Sequence, residues 1–299
     1  MSARDPSRSI RGRTPARIGD RIFVAVCAIA AALPLVALVY LVLQLLIAAA
    51  PRIGWSFIVG QPALDAHGSG ILPALAGSVT LVALTALIAL PVGLAAGIYL
   101  AEYAHATRLT RWTERNIAHL AAVPSVVYGL VGLVVFVRTI GFGRSLLAGA
   151  ATLALTVLPK MVITTRDAMR RVPRALRQAS YALGATRWRT IRHVVLPMAM
   201  PTIIERAALS VARAIGEASP LLVVGALGYG VAETRGAVSG SSSDSFTALP
   251  VQVWAWLTAP DQRYVANAAA GMIVLLVLML LVSALGVYLR RRMTRAHEG

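Results

Sequence analysis

Apolar residues in this chain fall into long blocks, not the short alternating stripes of a soluble fold. About six blocks reach the roughly 20 residues that a helix needs to cross a bilayer core. They are Ile22–Ala49, Ile71–Leu100, Ile117–Val137, Leu146–Thr165, Thr202–Leu227 and Val265–Leu289. The fourth is interrupted by Pro159 and Lys160, the fifth by Arg206, Arg213 and Glu217. Strands are excluded as spans, because an open sheet in lipid leaves backbone groups unpaired. The pattern predicts an all-α membrane protein with about six transmembrane helices.

Charge sets the orientation. The chain has 299 residues, is 58% hydrophobic and 14% charged, and carries a formal net charge of +17. Its mean hydropathy is +0.72. That is too little charge to coat a soluble domain of this length. In a soluble protein such basicity suggests nucleic acid; here it fits the excess of basic residues in cytoplasmic loops. Arg4, Arg8, Arg11, Arg13, Arg17 and Arg21 precede the first block. Arg108, Arg111 and Arg115 follow the second, and Arg166, Arg170, Arg171, Arg174, Arg177, Arg187, Arg189 and Arg192 follow the fourth. Arg290, Arg291, Arg292 and Arg295 close the chain. The alternate connections are sparse in arginine, so both termini and the long basic loop are expected in the cytoplasm.

The expected organisation is a basic cytoplasmic tail over 1–21, a first transmembrane helix over 22–50, a transmembrane domain over 71–289, and a second basic tail over 290–299. The first helix is read as retained: its apolar run exceeds the roughly 7–15 residues of a signal peptide, and Pro51 follows Ala48-Ala49-Ala50. The domain contains a cytoplasmic loop over 166–201 and an external loop over 228–264. The external loop carries a flexible stretch, Gly240 to Asp244, and then Trp254 and Trp256, which suit the membrane interface. Cys27 is the sole cysteine, so internal disulfides and cysteine-based metal sites are excluded.

Pro173 suits a helix start in the cytoplasmic loop, and Gly184 suits a sharp break between two short helices. Leu176, Ala179, Ala182 and Leu183 give the first helix an apolar stripe. That stripe needs a protein partner or anionic lipid to cover it. Gln178-Ala179-Ser180, Gly184, Val194 and Leu196-Pro197 stand at the spacings of Glu-Ala-Ala, Gly, an aliphatic residue and Leu-Pro. In this the loop resembles that of ABC-importer permeases, with Gln178 for Glu and Ser180 for Ala. Ile71–Ser78, Leu90–Gly93, Tyr99–Tyr103, Val123–Gly129 and Thr247–Val253 resemble the phosphate-specific permeases. Ala212-Arg-Ala-Ile-Gly-Glu217 resembles the PstA type more than the PstC type. The resemblance covers most of residues 71–289. It implies a type I importer permease whose loop docks on an ATPase.

Arg206, Ser210, Arg213 and Glu217 are spaced i, i+4, i+7 and i+11, which aligns them on one face of a continuous helix. Arg213 falls roughly 16 Å from Thr202, near mid-bilayer. A charge there costs about 2.5 kcal/mol or more and must face a partner or a wet cavity. Glu217, one turn on, is its expected partner. The pair either locks helices together or lines an anion pathway, with Arg213 gripping phosphate oxygens. Arg206 and Lys160, the latter about five residues from the expected cytoplasmic end of its helix, either snorkel to the interface or line the pathway. Tyr128 and Ser125, beside Pro124 and Gly129, offer hydroxyls at a loosened point of the third helix; packing and substrate contact both fit. Gly93 and Gly97 form a close-packing signal.

No Gly-x-x-x-x-Gly-Lys-[Ser/Thr] occurs, so ATP hydrolysis by this chain is not expected, nor is any bound cofactor. His67, His105, His119, His193 and His297 are scattered, without metal-ligand spacing. The expected function is a transport subunit, not an enzyme: a permease for inorganic phosphate in the inner membrane. By the resemblance its partners are a homologous permease (PstC-like), an ATPase pair (PstB-like) and an external phosphate-binding protein (PstS-like). Another oxyanion, such as molybdate or sulfate, and a secondary anion transporter without an ATPase are the alternatives.

Overall fold

The structure, a computed structural model, describes residues 18–63, 65–105, 107–228 and 246–295. Among these, every regular element is helical, as lipid demands of a chain that must satisfy its own backbone groups. Gly240 to Asp244, the first five arginines of the tail, and His297 lie outside the described residues. The described residues fall into two compact units that divide after Ile47.

Helix α1 (Ile18–Ala49) runs for 32 residues with Pro34 inside it, and its apolar residues surround the whole helix. In the second unit the elements are α2 (Trp55–Val59), α3 (Leu72–Ile98), α4 (Arg108–Ala121), α5 (Ser125–Gly132), α6 (Leu146–Arg170) and α7 (Arg174–Ala182). They continue as α8 (Arg187–Thr190), α9 (Leu196–Ile215), α10 (Ser219–Val224), α11 (Leu249–Leu257) and α12 (Tyr264–Arg295). Wider π-helical turns extend α3 over Tyr99–Tyr103, extend α5 over Leu133–Thr139, and join α8 to α9 over Ile191–Val195. Five helices are long and apolar enough to cross a membrane, and a bent pair makes the sixth when taken as one span.

Three expected spans are redrawn. The third breaks around Pro124, where α4 and the α5 segment meet at 99°. Proline lacks the N–H that would carry the ladder across. The fourth runs beyond Thr165 to Arg170, so Lys160 lies more than two turns inside the helix, not near its end. The fifth begins at Arg187, well before Thr202, and its helix ends at Ile215, before Glu217.

Small residues set the helix crossings. A side chain at Gly93 would meet Met161 Cγ at 2.6 Å, and Gly97 lies against the Thr165 side chain and the Val162 carbonyl, so the two glycines let α3 pack closely on α6. Helices α9 and α12 run antiparallel: Gly216 faces Met279, Gly286 faces Ala208, and Arg290 pairs with Glu205 at 2.6 Å. That register puts Gly216 about halfway along α12. At the outer end, Ser78 Oγ accepts from the Leu249 amide at 2.7 Å, joining two of the family-like motifs. Arg52 donates to Asn267 Oδ1 at 2.6 Å and to the His67 and Ser69 carbonyls. Trp254 is half exposed as expected, but Trp256 is 1% exposed and packs in the core. Two residues apart on a helix, they point to different faces.

Candidate functional site

The polar stripe does not survive as a single helical face. The α9 ladder ends with Gly216 N–H on the Arg213 carbonyl and Glu217 N–H on the Ala214 carbonyl. Pro220 then opens α10 without a donor of its own. Glu217 therefore sits in a break between two helices near mid-bilayer. Its ion-pair partner is Lys160, with Nζ 4.0 Å from Glu217 Oε1, and not the expected Arg213. Arg213 is exposed, together with Arg206, and forms no ion pair among the described residues. Ser210, between them, donates to the Arg206 carbonyl at 2.9 Å.

The break opens a cavity of about 230 Å³ lined by Ser125, Tyr128, Thr156, Lys160 and Glu217, with Ala121 and Val123 at its edge. Four of these polar residues were singled out by sequence on three different helical blocks; the fold brings them together. Thr156 was missed. It lies four residues before Lys160, hence on the same face of α6, and that spacing is the signal that would have found it. Tyr128 donates to the Leu120 carbonyl at 2.7 Å, across the α4–α5 bend. Thr156 donates to the Leu153 carbonyl at 2.8 Å. Glu217 Oε2 is buried and has no hydrogen-bond partner among the described residues. At 4.0 Å the Lys160–Glu217 contact is an ion pair without a close hydrogen bond, which leaves ammonium donors for another acceptor.

A second feature lies at the arginine-rich end. Helix α7 has no buried residue, and Leu183 is 89% exposed. Leu176, Tyr181 and Trp188 are also exposed, so the apolar stripe has no cover among the described residues. Gly184 adopts φ +78°, the left-handed turn between α7 and α8, with open space where a side chain would go. Conformation, not crowding, asks for glycine there. Ser180 Oγ and Thr190 Oγ1 share a hydrogen bond at 2.9 Å, which fixes α7 on α8. Gln178 and Ala179 are exposed, while Val194, Leu196 and Pro197 are half-buried in the stem below.

Charged side chains bolt this loop to the bundle. Arg177 donates to Glu102 Oε1 at 2.8 Å and to the Met169 and Val172 carbonyls. Arg187 donates to the Glu102 carbonyl and lies over the Tyr103 ring. Glu114 on α4 takes Arg166 and Arg170 from the end of α6. A groove of about 690 Å³ remains beside α7, lined by Arg170, Arg174, Arg177, Arg187, Gln178 and Glu102 among others. Sequence reasoning singled out neither Glu102 nor Glu114 as an anchor.

Helices bent and broken near mid-bilayer, with a protruding helical loop at the basic end, define a transport component. Residues 93–295 match the family described as binding-protein-dependent transport system inner membrane component, and the chain belongs to that family. It is thus a multi-pass protein of the inner membrane. Among its relatives, the probable ABC transporter permease protein YqgI of Bacillus subtilis (strain 168) is 32% identical over 93% of this chain and 98% of its own length. The phosphate transport system permease protein PstA 1 of Mycobacterium tuberculosis (strain H37Rv) is 35% identical over 78% of this chain and 74% of its own. In fold, the chain resembles a bacterial alginate ABC transporter in complex with its alginate-bound periplasmic protein. That likeness has a TM-score of 0.63 at 17% identity, over 92% of this chain and 96% of the other. The inward-facing MetNI methionine ABC transporter matches with a TM-score of 0.59 at 18% identity, over 75% of this chain and 95% of that one.

Proposed function

We propose that this chain is the permease subunit of an ATP-driven importer of inorganic phosphate. The reading rests on the cavity at the α9–α10 break. A cation and a carboxylate near mid-bilayer are expensive unless they serve a pathway, and here both line one cavity with three hydroxyls. Arg213, Arg206 and Ser210 extend the polar path on the exposed face of α9. Likeness to PstA 1, whose name carries phosphate, supports the choice of anion.

A second, homologous permease would cover the exposed α9 face and complete the pathway. An ATPase subunit would take up α7: its apolar residues are uncovered and the adjoining groove is lined by arginines, which suits an acidic partner surface. Closure of an ATPase pair around bound nucleotide would push the loop through Gly184 and tilt the helices between inward- and outward-facing arrangements. An external phosphate-binding protein would deliver the anion at the opposite end.

Uptake of labelled phosphate at low external concentration tests the reading. A strain lacking this chain should lose it and regain it when the chain is restored. Undiminished uptake in the deleted strain would overturn the proposal, and a defect in sulfate or molybdate uptake instead would reassign the anion.

A further inference from the structure

The cavity between α5, α6 and the α9–α10 break leaves a buried acceptor unpaired. A hydroxyl has one proton to give and two lone pairs to receive with. The Tyr128 proton is committed to the Leu120 carbonyl, which only accepts, whereas the Thr156 hydroxyl lies within hydrogen-bond reach of both the Leu153 carbonyl and the Glu217 carboxylate. Toward the cavity the Tyr128 hydroxyl can act only as an acceptor. Glu217 Oε2 is a second acceptor, buried and without a hydrogen-bond partner among the described residues. The donors facing the cavity are the three N–H groups of the Lys160 ammonium, 4.0 Å from the other Glu217 oxygen, and the Ser125 hydroxyl.

A fully deprotonated oxyanion brings only acceptors. It satisfies Lys160 and Ser125 but sets its oxygens against those of Tyr128 and Glu217. A protonated oxyanion brings at least one O–H as well. Inorganic phosphate keeps one through neutral pH and arsenate does the same, whereas sulfate keeps none. Sites built around a ligand's hydroxyl reject analogues that lack it, because buried polar groups are then left unpaired.

We infer that the cavity is a binding site for a protonated tetrahedral oxyanion, with Lys160 and Ser125 donating to it and Glu217 Oε2 accepting its O–H. The inference rests on the reading of this chain as a phosphate permease and adds to it the group that sets selectivity inside the membrane. Selection at this point is separate from any made by an external binding protein.

The test uses the assembled importer in liposomes, with ATP enclosed on the ATPase side and labelled phosphate outside. Unlabelled arsenate or sulfate is placed in the lumen at matched ionic strength, where each reaches the permease without passing the external protein. Lumenal arsenate should slow uptake at a concentration at least about tenfold below that of sulfate. In Glu217→Gln the gap should shrink to about threefold or less, because a glutamine amide also donates. Where that variant does not transport, equilibrium binding of labelled arsenate and sulfate to its assembled complex, without the external protein, gives the same comparison. Equal potency of sulfate and arsenate on the wild type, or a gap unmoved in Glu217→Gln, overturns the inference while leaving phosphate transport standing. Absence of phosphate uptake by the intact complex would instead remove the reading beneath it.

Discussion

Arg177 on α7 donates through Nη2 to Glu102 Oε1 at 2.8 Å, and the two side chains are only 15% and 7% exposed. This contact joins the protruding loop to the end of α3, and through α3 to the α6 helix that carries Lys160. A withdrawn ion pair adds little over a well-packed apolar pair, but losing one partner strands the other charge. Glu102→Ala should therefore destabilise the chain by about 3 kcal/mol or more. Thermal unfolding of the detergent-purified protein would show it as a lowered midpoint. The double change Glu102→Leu with Arg177→Met should recover much of that loss. If the loop transmits force through this contact, the double variant should fold yet support less transport-coupled ATP hydrolysis.

Gly184 gives a sharper probe of the loop, because its environment is open. A Cβ added there meets nothing within 4 Å and is opposed by the left-handed backbone at φ +78°. That penalty is about 1–2 kcal/mol for a residue with a Cβ, enough to reshape the turn and too little to unfold the bundle. Gly184→Val should leave the membrane helices intact by circular dichroism and lower ATPase stimulation in the assembled complex. Wild-type stimulation would mean that the angle between α7 and α8 is not what the ATPase reads.

The α3–α6 crossing behaves in the opposite way, since space is what it lacks. A side chain on Gly97 would run into the Thr165 side chain and the Val162 carbonyl. Gly97→Leu should force the helices apart at a cost of about 1–3 kcal/mol or more. A fall in monodisperse protein on size exclusion of the detergent extract would report it. Gly141→Ala is a useful contrast: its φ is +81° but nothing lies within 4 Å of the added atom, so only the turn is strained.

Span count and the turn at Gly184 were legible because each follows from a local rule: block length, and the need for glycine at positive φ. The partner of Glu217 was not. Helical spacing paired it with Arg213, but that argument assumes an unbroken helix, and the ladder stops at Ile215. Once the chain leaves the helix, tertiary packing chooses the neighbour, and α6 supplies Lys160. The same limit applies to Trp256, which an interfacial preference placed at the surface and packing placed in the core. Glu102 was quoted within a family-like motif, yet its role depends on Arg177, 75 residues away in the chain.

Arg213 and Lys160 should respond differently to neutralisation, and that difference separates scaffolding from transport. Lys160 is the ion-pair partner of Glu217, so Lys160→Gln leaves a half-buried carboxylate without its cation and should lower both stability and uptake. Arg213 has no such obligation among the described residues and presents its guanidinium on the exposed face of α9. Arg213→Gln should leave the melting temperature and the yield of assembled complex unchanged while abolishing phosphate uptake. Arg213→Lys keeps the charge but loses the planar fork of donors that fits an oxyanion, so it should restore only part of the transport. Full uptake by Arg213→Gln would assign the arginine to helix or subunit packing and leave the pathway to Lys160 alone.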